Sequence, residues 1–256
     1  GLAIHEGHIS GVDKPLLDFF PEDRERAGAG WDGLSLENLL TMSLALDWSP
    51  EEADGLHGTG PEAFRQILAR DVAGRPGEDW QYVNMNVNLL AGILHAATGE
   101  YPEDFAARTL FGPLGITNWN WDGYKTDGFN LMDGSLRLRA RDMAKIGVMV
   151  MNGGVWQDRR VLSEEWIRAS LQPYLSAGEG GEWYGYLWWR LTVPGPEGRQ
   201  VQVWFANGWG SQFISIIPSR ELVIVTTGGN EYNGKHLAPA GIMERFILPG
   251  VNRTEG

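Results

Sequence analysis

Four short runs near the end of the chain limit what it can fold into more than any other feature. WYGYLWWRL, QVQVWFA, QFISIIP and ELVIVTTG, between residues 183 and 228, are rich in β-branched and aromatic residues. PGPEG, NGWGS and PSR separate them. Runs of this length and composition, divided by Gly, Pro and Asn turn signals, predict an antiparallel meander. A parallel sheet would need a helical crossover between successive strands, and there is no room for one here.

Upstream the period is helical. SLENLLTMSLAL after Gly33, GPEAFRQILAR from Gly60, MNVNLLAGILHAATGE from Met85 and YPEDFAARTLFGPLG each place apolar residues at helical spacing. In MNVNLLAGILHAATGE, the stripe Val87, Leu90, Leu94 and Ala97 is expected to face a core, with Gly99 as the stop. ITNWNWDGYKTDG is a polar connection. It leads to RARDMAKIGVMVMNGG, a helix expected to end at Gly153, and to SEEWIRASLQP, with Ser163 as N-cap and Pro173 as stop. HLAPAGIMERFIL is expected to close the chain as a helix. We therefore expect an α+β architecture, an antiparallel sheet flanked by helices: one domain over 1–256, mainly helical over 8–175, with the sheet and the terminal helix in 176–256. GLAIHEG opens the chain without a cap, and Leu2, Ala3 and Ile4 before Gly7 read as the last turns of a helix. This predicts a fragment lacking its N-terminal segment, whose sheet would then present an unpaired edge inviting association. No signal peptide, and so no compartment, is read from such a start.

At 256 residues and 43% hydrophobic, the chain is long enough for a sizeable core. A net charge of -12, with only four lysines, argues against a nucleic-acid partner, because phosphate binding needs clustered cations. Zero cysteines exclude a disulfide framework and a thiolate nucleophile. No window approaches the roughly 20 apolar residues of a membrane helix, so no membrane span is expected.

Several motifs attract attention and fail on their chemistry. GNEYNGKH, residues 229–236, spaces Gly229, Gly234 and Lys235 like a phosphate-cradling loop, but His236 stands where a Mg²⁺-binding hydroxyl belongs. His5, Glu6 and His8 look like a zinc pair, yet Gly7 ends the helix between them; no metal is expected. His57 in a Gly-rich loop and His95 on a helix read as structural. No Gly-x-Ser-x-Gly elbow occurs. Of the twelve tryptophans, most are expected in the core, including Trp183, Trp188, Trp189 and Trp204 of the strand runs.

WQYVN, residues 80–84, places a phenol and a carboxamide at the doorstep of a helix, where the buried stripe would hold both on a rigid support. Read from the residues alone, Tyr82 is either a packed ring or a catalytic group, and Asn84 either a helix cap or a substrate ligand.

HISGVDKPLLDFFPE, LSLENLLTMSLALDW, WQYVNMNVNLLAGILHAATGE, FGPLGITNWNW, GSLRLRARDMAKIGVMVMNGGVW, VLSEEWIRAS, WYGYLWW and WFANGWGSQFISIIPSRELVIVTTGGN follow one another across almost the whole chain. In this order they resemble the penicillin-recognising serine hydrolases of the class C β-lactamase type. That group includes β-lactamases, D-alanyl-D-alanine peptidases, esterases and amide hydrolases that open nylon oligomers. The resemblance implies a β-lactamase/transpeptidase-like fold and hydrolysis of a small-molecule ester, amide or peptide through an acyl-enzyme, with no cofactor. It implies Tyr82 as general acid/base, carrying a proton to the leaving group, and Asn84 as partner of the substrate amide or of a lysine. A phenol, with a reference pKa of ~10, needs a nearby ammonium to act as a base at neutrality.

Two departures from the family pattern follow. No Ser-x-x-Lys occurs: three residues before Lys14, Lys125, Lys145 and Lys235 stand Gly11, Asp122, Asp142 and Tyr232. The chain as given is therefore expected to be inactive, and a non-catalytic binding or structural relative is the alternative. The family's third box, Lys-Thr-Gly or His-Thr-Gly, is matched only by Gly208, Trp209 and Gly210, which with Ser211 are expected to line the cleft as substrate-binding residues. A Gly-permitted hairpin turn explains the same residues. The missing cation weakens the case for substrates with a free carboxylate.

Overall fold

The period-two runs form one six-stranded antiparallel sheet in the computed structural model, which describes residues 1–55, 58–123, 125–178, 180–195, 199–229, 241 and 243–251. Its strands are β5 (Leu175–Ser176), β6 (Trp183–Tyr184), β7 (Trp189–Pro194), β8 (Gln200–Gly208), β9 (Gln212–Ile217) and β10 (Leu222–Thr226), in spatial order β10-β9-β8-β7-β6-β5. Each strand neighbours its sequence neighbour, as a meander requires. One cross-strand row runs Trp183, Arg190, Trp204, Ile216, Val223. Partners in register share a face. Two-stranded pieces lie earlier in the chain: β1 (Trp119–Asn120) with β2 (Arg137–Leu138), and β3 (Val155–Trp156) with β4 (Arg159–Arg160).

The helices are α1 (Leu2–His5), α2 (Leu36–Leu40), α3 (Pro50–Gly55), α4 (Pro61–Leu68), α5 (Asn84–Val87), α6 (Leu89–Thr98), α7 (Pro102–Ala106), α8 (Ala140–Met151) and α9 (Glu164–Ser170). Chain compactness divides them into two units: residues 1–138 with 161–163, and residues 139–160 with 164–256. The expected helical part, 8–175, cuts the chain elsewhere, because α8 and α9 belong with the sheet. Gly147 explains the α8 placement, since a Cβ there would come within 2.6 Å of Val223 and 2.9 Å of Ile214. A side chain would hold the helix off the sheet.

In the first unit α4 shows how amphipathic spacing becomes packing. Ala63, Phe64, Ile67 and Leu68 are buried while Glu62 and Arg65 point outward. Burying Phe64 and Ile67 is worth about 2 kcal/mol each relative to exposure. Phe64 meets Phe20 at 5.9 Å and Phe129 edge-on at 5.2 Å. His95 stacks on Tyr101 at 4.6 Å and meets Phe129 edge-on, a packed ring of this core. α1 ends in a Schellman arrangement: His8 donates its N–H to Ala3 O (2.8 Å), Gly7 donates to Ile4 O (3.0 Å), and Gly7 takes φ +80°.

Several expected elements come out shorter. SLENLLTMSLAL is helical only over α2, because Met42 and Ala45 take φ +57° and +54°. Ser35 and Asn38 close α2 with a reciprocal capping box. The helix after WQYVN breaks at Asn88, and its buried side is Met85, Leu89 and Ile93, while Leu90, Leu94 and Ala97 are only half-buried. α8 runs to Met151, with Gly153 and Gly154 at positive φ, and α9 starts directly after Ser163. Only four tryptophans are buried (31, 48, 121 and 204); Trp183, Trp188 and Trp189 are not. They sit at the narrow end of the sheet, where β5 and β6 pair over two residues each and offer little cover. His57, Lys235 and most of GNEYNGKH lie outside the described residues, as does the first part of the expected terminal helix. Met243–Ile247 of that helix forms a wide helical turn closed by Leu248 N–H to Met243 O (2.8 Å).

Candidate active site

Tyr82 lies in an extended stretch whose backbone is fixed from one side. Segment 42–47 and segment 71–81 are laced together by Asp47 N–H to Asp71 O (3.0 Å), Ala73 N–H to Ala45 O (2.9 Å), Gly77 N–H to Ser43 O (3.0 Å) and Gln81 N–H to Met42 O (2.9 Å). Met42 and Ala45, both buried, occupy the left-handed region that β-carbons disfavour. Each such residue costs on the order of 1–3 kcal/mol and persists only where its surroundings over-determine it, as this lacing does. Val83 beyond Tyr82 is fully buried, and Met85 anchors the first turn of α5.

Tyr82 itself is half-buried, its ring 6.1 Å from that of Trp80. Asn84 is the first residue of α5, after Val83 as N-cap, and no side chain caps that end. A capping role for Asn84 is thus not what the helix start uses. The other two asparagines of the segment do hold structure. Asn86 Oδ1 accepts from Trp48 Nε1 (3.0 Å), and Asn88 Oδ1 accepts from the N–H groups of Met132 (2.7 Å) and Asp133 (3.4 Å). Sequence reasoning passed over both. The signal available was three asparagines at every second position in an otherwise apolar helix, since buried Asn persists only with partners.

Behind Trp48 the electrostatics are strong. Arg70 lies over the Trp48 ring at 4.2 Å, donates to Asp47 O (3.3 Å), and binds Glu52 with both terminal nitrogens (3.1 and 2.6 Å). The Arg70 guanidinium, with bonds from Ser49, holds the Glu52 carboxyl down at about 2. Further along, burial pushes Glu103 up, but bonds from Lys125 (2.6 Å) and Asn130 (3.0 Å) outweigh it and keep the carboxyl below its ordinary value. His8 and Arg108 both reach Glu6, so two residues of the apparent zinc pair, Glu6 and His8, face each other and an arginine instead. Among the described residues no group of three metal-ligating side chains comes together.

Gly208–Ser211 lies in the second unit, at the β8–β9 hairpin. Gly208 is the last residue of β8 and pairs with Gln212. Gly210 (φ +75°) and Ser211 (φ +71°) turn the chain, and Trp209 at the tip is 71% exposed. The tip is tied down: Gln212 Nε2 donates to Gly210 O (3.2 Å) and to Gly228 O, and Thr226 Oγ1 donates to Ser211 O (3.3 Å). The hairpin-turn reading of these residues therefore holds geometrically, and it leaves an exposed indole on a fixed loop.

Comparison with known proteins decides the family. A family model described as Beta-lactamase matches residues 2–237. The chain belongs to the β-lactamase family. It is 25% identical over 224 residues to a 6-aminohexanoate-dimer hydrolase of Paenarthrobacter ureafaciens, covering 81% of this chain and 54% of that protein. The chain thus spans about half the length of this curated relative. Among solved structures, the octameric penicillin-binding protein homologue from Pyrococcus abyssi superposes with TM-score 0.72 at 22% identity, covering 98% of this chain and 64% of that one. A putative 6-aminohexanoate-dimer hydrolase from Bacillus anthracis gives 0.70 at 19% (88% and 62%), and a class C β-lactamase from Rhodobacter sphaeroides 0.62 at 18% (90% and 76%). These likenesses establish the β-lactamase/transpeptidase-like α+β fold. No helix among the described residues is long and apolar enough to cross a membrane.

Proposed function

We propose that this β-lactamase-family chain is the larger part of a serine hydrolase that cleaves small-molecule esters or amides through an acyl-enzyme. Tyr82 acts as general acid/base and Asn84 as partner of the substrate amide or of the activating lysine. Gly208, Trp209, Gly210 and Ser211 contact the substrate. One observation carries the reading: the Tyr-x-Asn of the family falls, within the matched span, on a backbone held by the 42–47 lacing and by buried Val83. A proton-transfer group needs that fixity, because a misplacement of about 1 Å can cost on the order of 10²-fold. The 6-aminohexanoate-dimer hydrolase among its relatives supports an amide substrate.

The Ser-x-x-Lys pair this chemistry requires is not within these 256 residues, so the reading needs it supplied from outside them. The same absence favours the second reading, a non-catalytic binding or structural relative. Chromogenic ester hydrolysis separates the two. The 256-residue chain is expected to release no leaving group above background. A longer chain carrying Ser-x-x-Lys is expected to show a burst and turnover, which Tyr82→Phe lowers at least ~100-fold. Full activity of that variant would reduce Tyr82 to packing, and a burst from the 256-residue chain would mean that another nucleophile operates.

A further inference from the structure

Arg190 sits in the middle of the row Trp183, Arg190, Trp204, on one face of β6, β7 and β8. Its guanidinium carbon is 5.7 Å from the Trp183 ring centroid and 5.8 Å from that of Trp204, so the cation lies between two indoles. Other half-buried or network arginines of the chain face carboxylates: Arg70 faces Glu52, Arg75 faces Asp79, and Arg108 faces Glu6 and Glu100. The Arg190 backbone belongs to the strand ladder, but its side-chain Nε is buried without an acceptor. Among the described residues it is the one cationic side chain with a buried, unsatisfied donor. A buried donor without an acceptor is a cost that a folded protein ordinarily avoids, and a functional ligand is one way to relieve it.

The two indoles differ. Trp204 is 6% exposed and backs the guanidinium from the sheet interior, next in register to Ile216. Trp183 is 37% exposed and forms the open wall. We propose that Trp183, Arg190 and Trp204 form a binding site for an aromatic carboxylate on the second unit. The planar fork of an arginine accepts a carboxylate on two parallel N–H donors. A side-on approach uses Nε and one terminal nitrogen, which satisfies the buried donor and neutralises the cation in one contact. A small rotation of Trp183 admits the oxygen, and its outer face then stacks the ligand ring. Trp204 fixes the guanidinium plane, so little side-chain freedom is lost on binding. The site lies within the second unit and does not rest on the proposed hydrolysis.

Calorimetric titration of the 256-residue chain with benzoate, benzamide and acetate tests it. Saturable benzoate binding is expected, with benzamide at least 10-fold weaker because it lacks the charge, and acetate at least 10-fold weaker because it lacks the ring. Arg190→Gln should lower benzoate affinity at least 10-fold while leaving benzamide unchanged. Arg190→Lys, which keeps the charge but not the fork, should fall between. Trp183→Leu should weaken benzoate and benzamide together. Circular dichroism checks that each variant folds, and the three-ligand contrast in the unaltered protein stands even where a variant does not. No saturable binding, equal binding of benzoate and benzamide, or benzoate binding that survives Arg190→Gln would each overturn the site and leave the ladder as a brace for the sheet end.

Discussion

Glu52 is held near 2 by Arg70, so the sign of its contribution to stability is fixed. Its folded value lies below the ordinary one of 4.5, so the ion pair contributes fully above that value and is lost as pH falls from about 4.5 towards 2. Glu52→Gln should therefore flatten that part of the acid limb of a melting-temperature profile and change little below pH 2. An acid limb with unaltered shape in the variant would show that the pair does not act on stability. Arg70→Lys keeps the charge but loses the two-nitrogen grip and the fit over Trp48, so it lets the Glu52 value rise towards 4.5 and is expected to flatten the same part of the limb, by less than Glu52→Gln does. At this scale the sequence was uneven to read. Tyr82 and Asn84 could be singled out as candidates because their Tyr-x-Asn spacing resembles that of the family. Arg190 could not, because nothing in WYGYLWWRL tells which tryptophans a register will set beside it.

The α5–α6 pair shows why an element can be legible while its facing is not. MNVNLLAGILHAATGE is apolar nearly all round, so a helix was readable but the buried stripe was not, and Leu90, Leu94 and Ala97 were assigned to a face that Met85, Leu89 and Ile93 occupy. Gly92 decides it. A Cβ there would stand 2.7 Å from Phe20 and 3.0 Å from Phe64, so this side of α6 must face those rings. Gly92→Ala is expected to destabilise the protein by ~1–2 kcal/mol, because overpacking a tight core outweighs the ~1 kcal/mol gain in helix propensity. Gly33→Ala, with nothing within 4 Å of its added carbon, should stay within about 0.5 kcal/mol. Urea denaturation of both variants checks the contrast; equal effects would mean that α6 shifts to make room. The meander, by comparison, was readable from its turns, since PSR and NGWGS each fall where a strand must reverse, and each contains or precedes a residue at positive φ.

Across the whole molecule, the class of fold was legible because two periods, helical then alternating, occupy different parts of the sequence. Where the compact units divide was not, because the division depends on Gly147 letting α8 down onto the sheet. β10 is one of the two edge strands among the described residues, the longer of them, and LVIVT carries no charge or proline to discourage pairing. We expect concentration-dependent self-association through that edge, seen as a rising sedimentation coefficient between micromolar and hundred-micromolar protein. A single monomer boundary throughout would rule this out.

The division into units has a consequence for synthesis. The first unit needs Val161 and Leu162, both buried, yet these come off the ribosome after α8 of the second unit has already been made. A nascent chain paused after residue 138 therefore holds an unfinished first unit, and the next stretch to emerge belongs to the other. Domains that are contiguous in sequence can fold one at a time as they appear. Here the first unit cannot finish until residue 163 has cleared the exit tunnel, by which time α8 of the second has already emerged without its sheet.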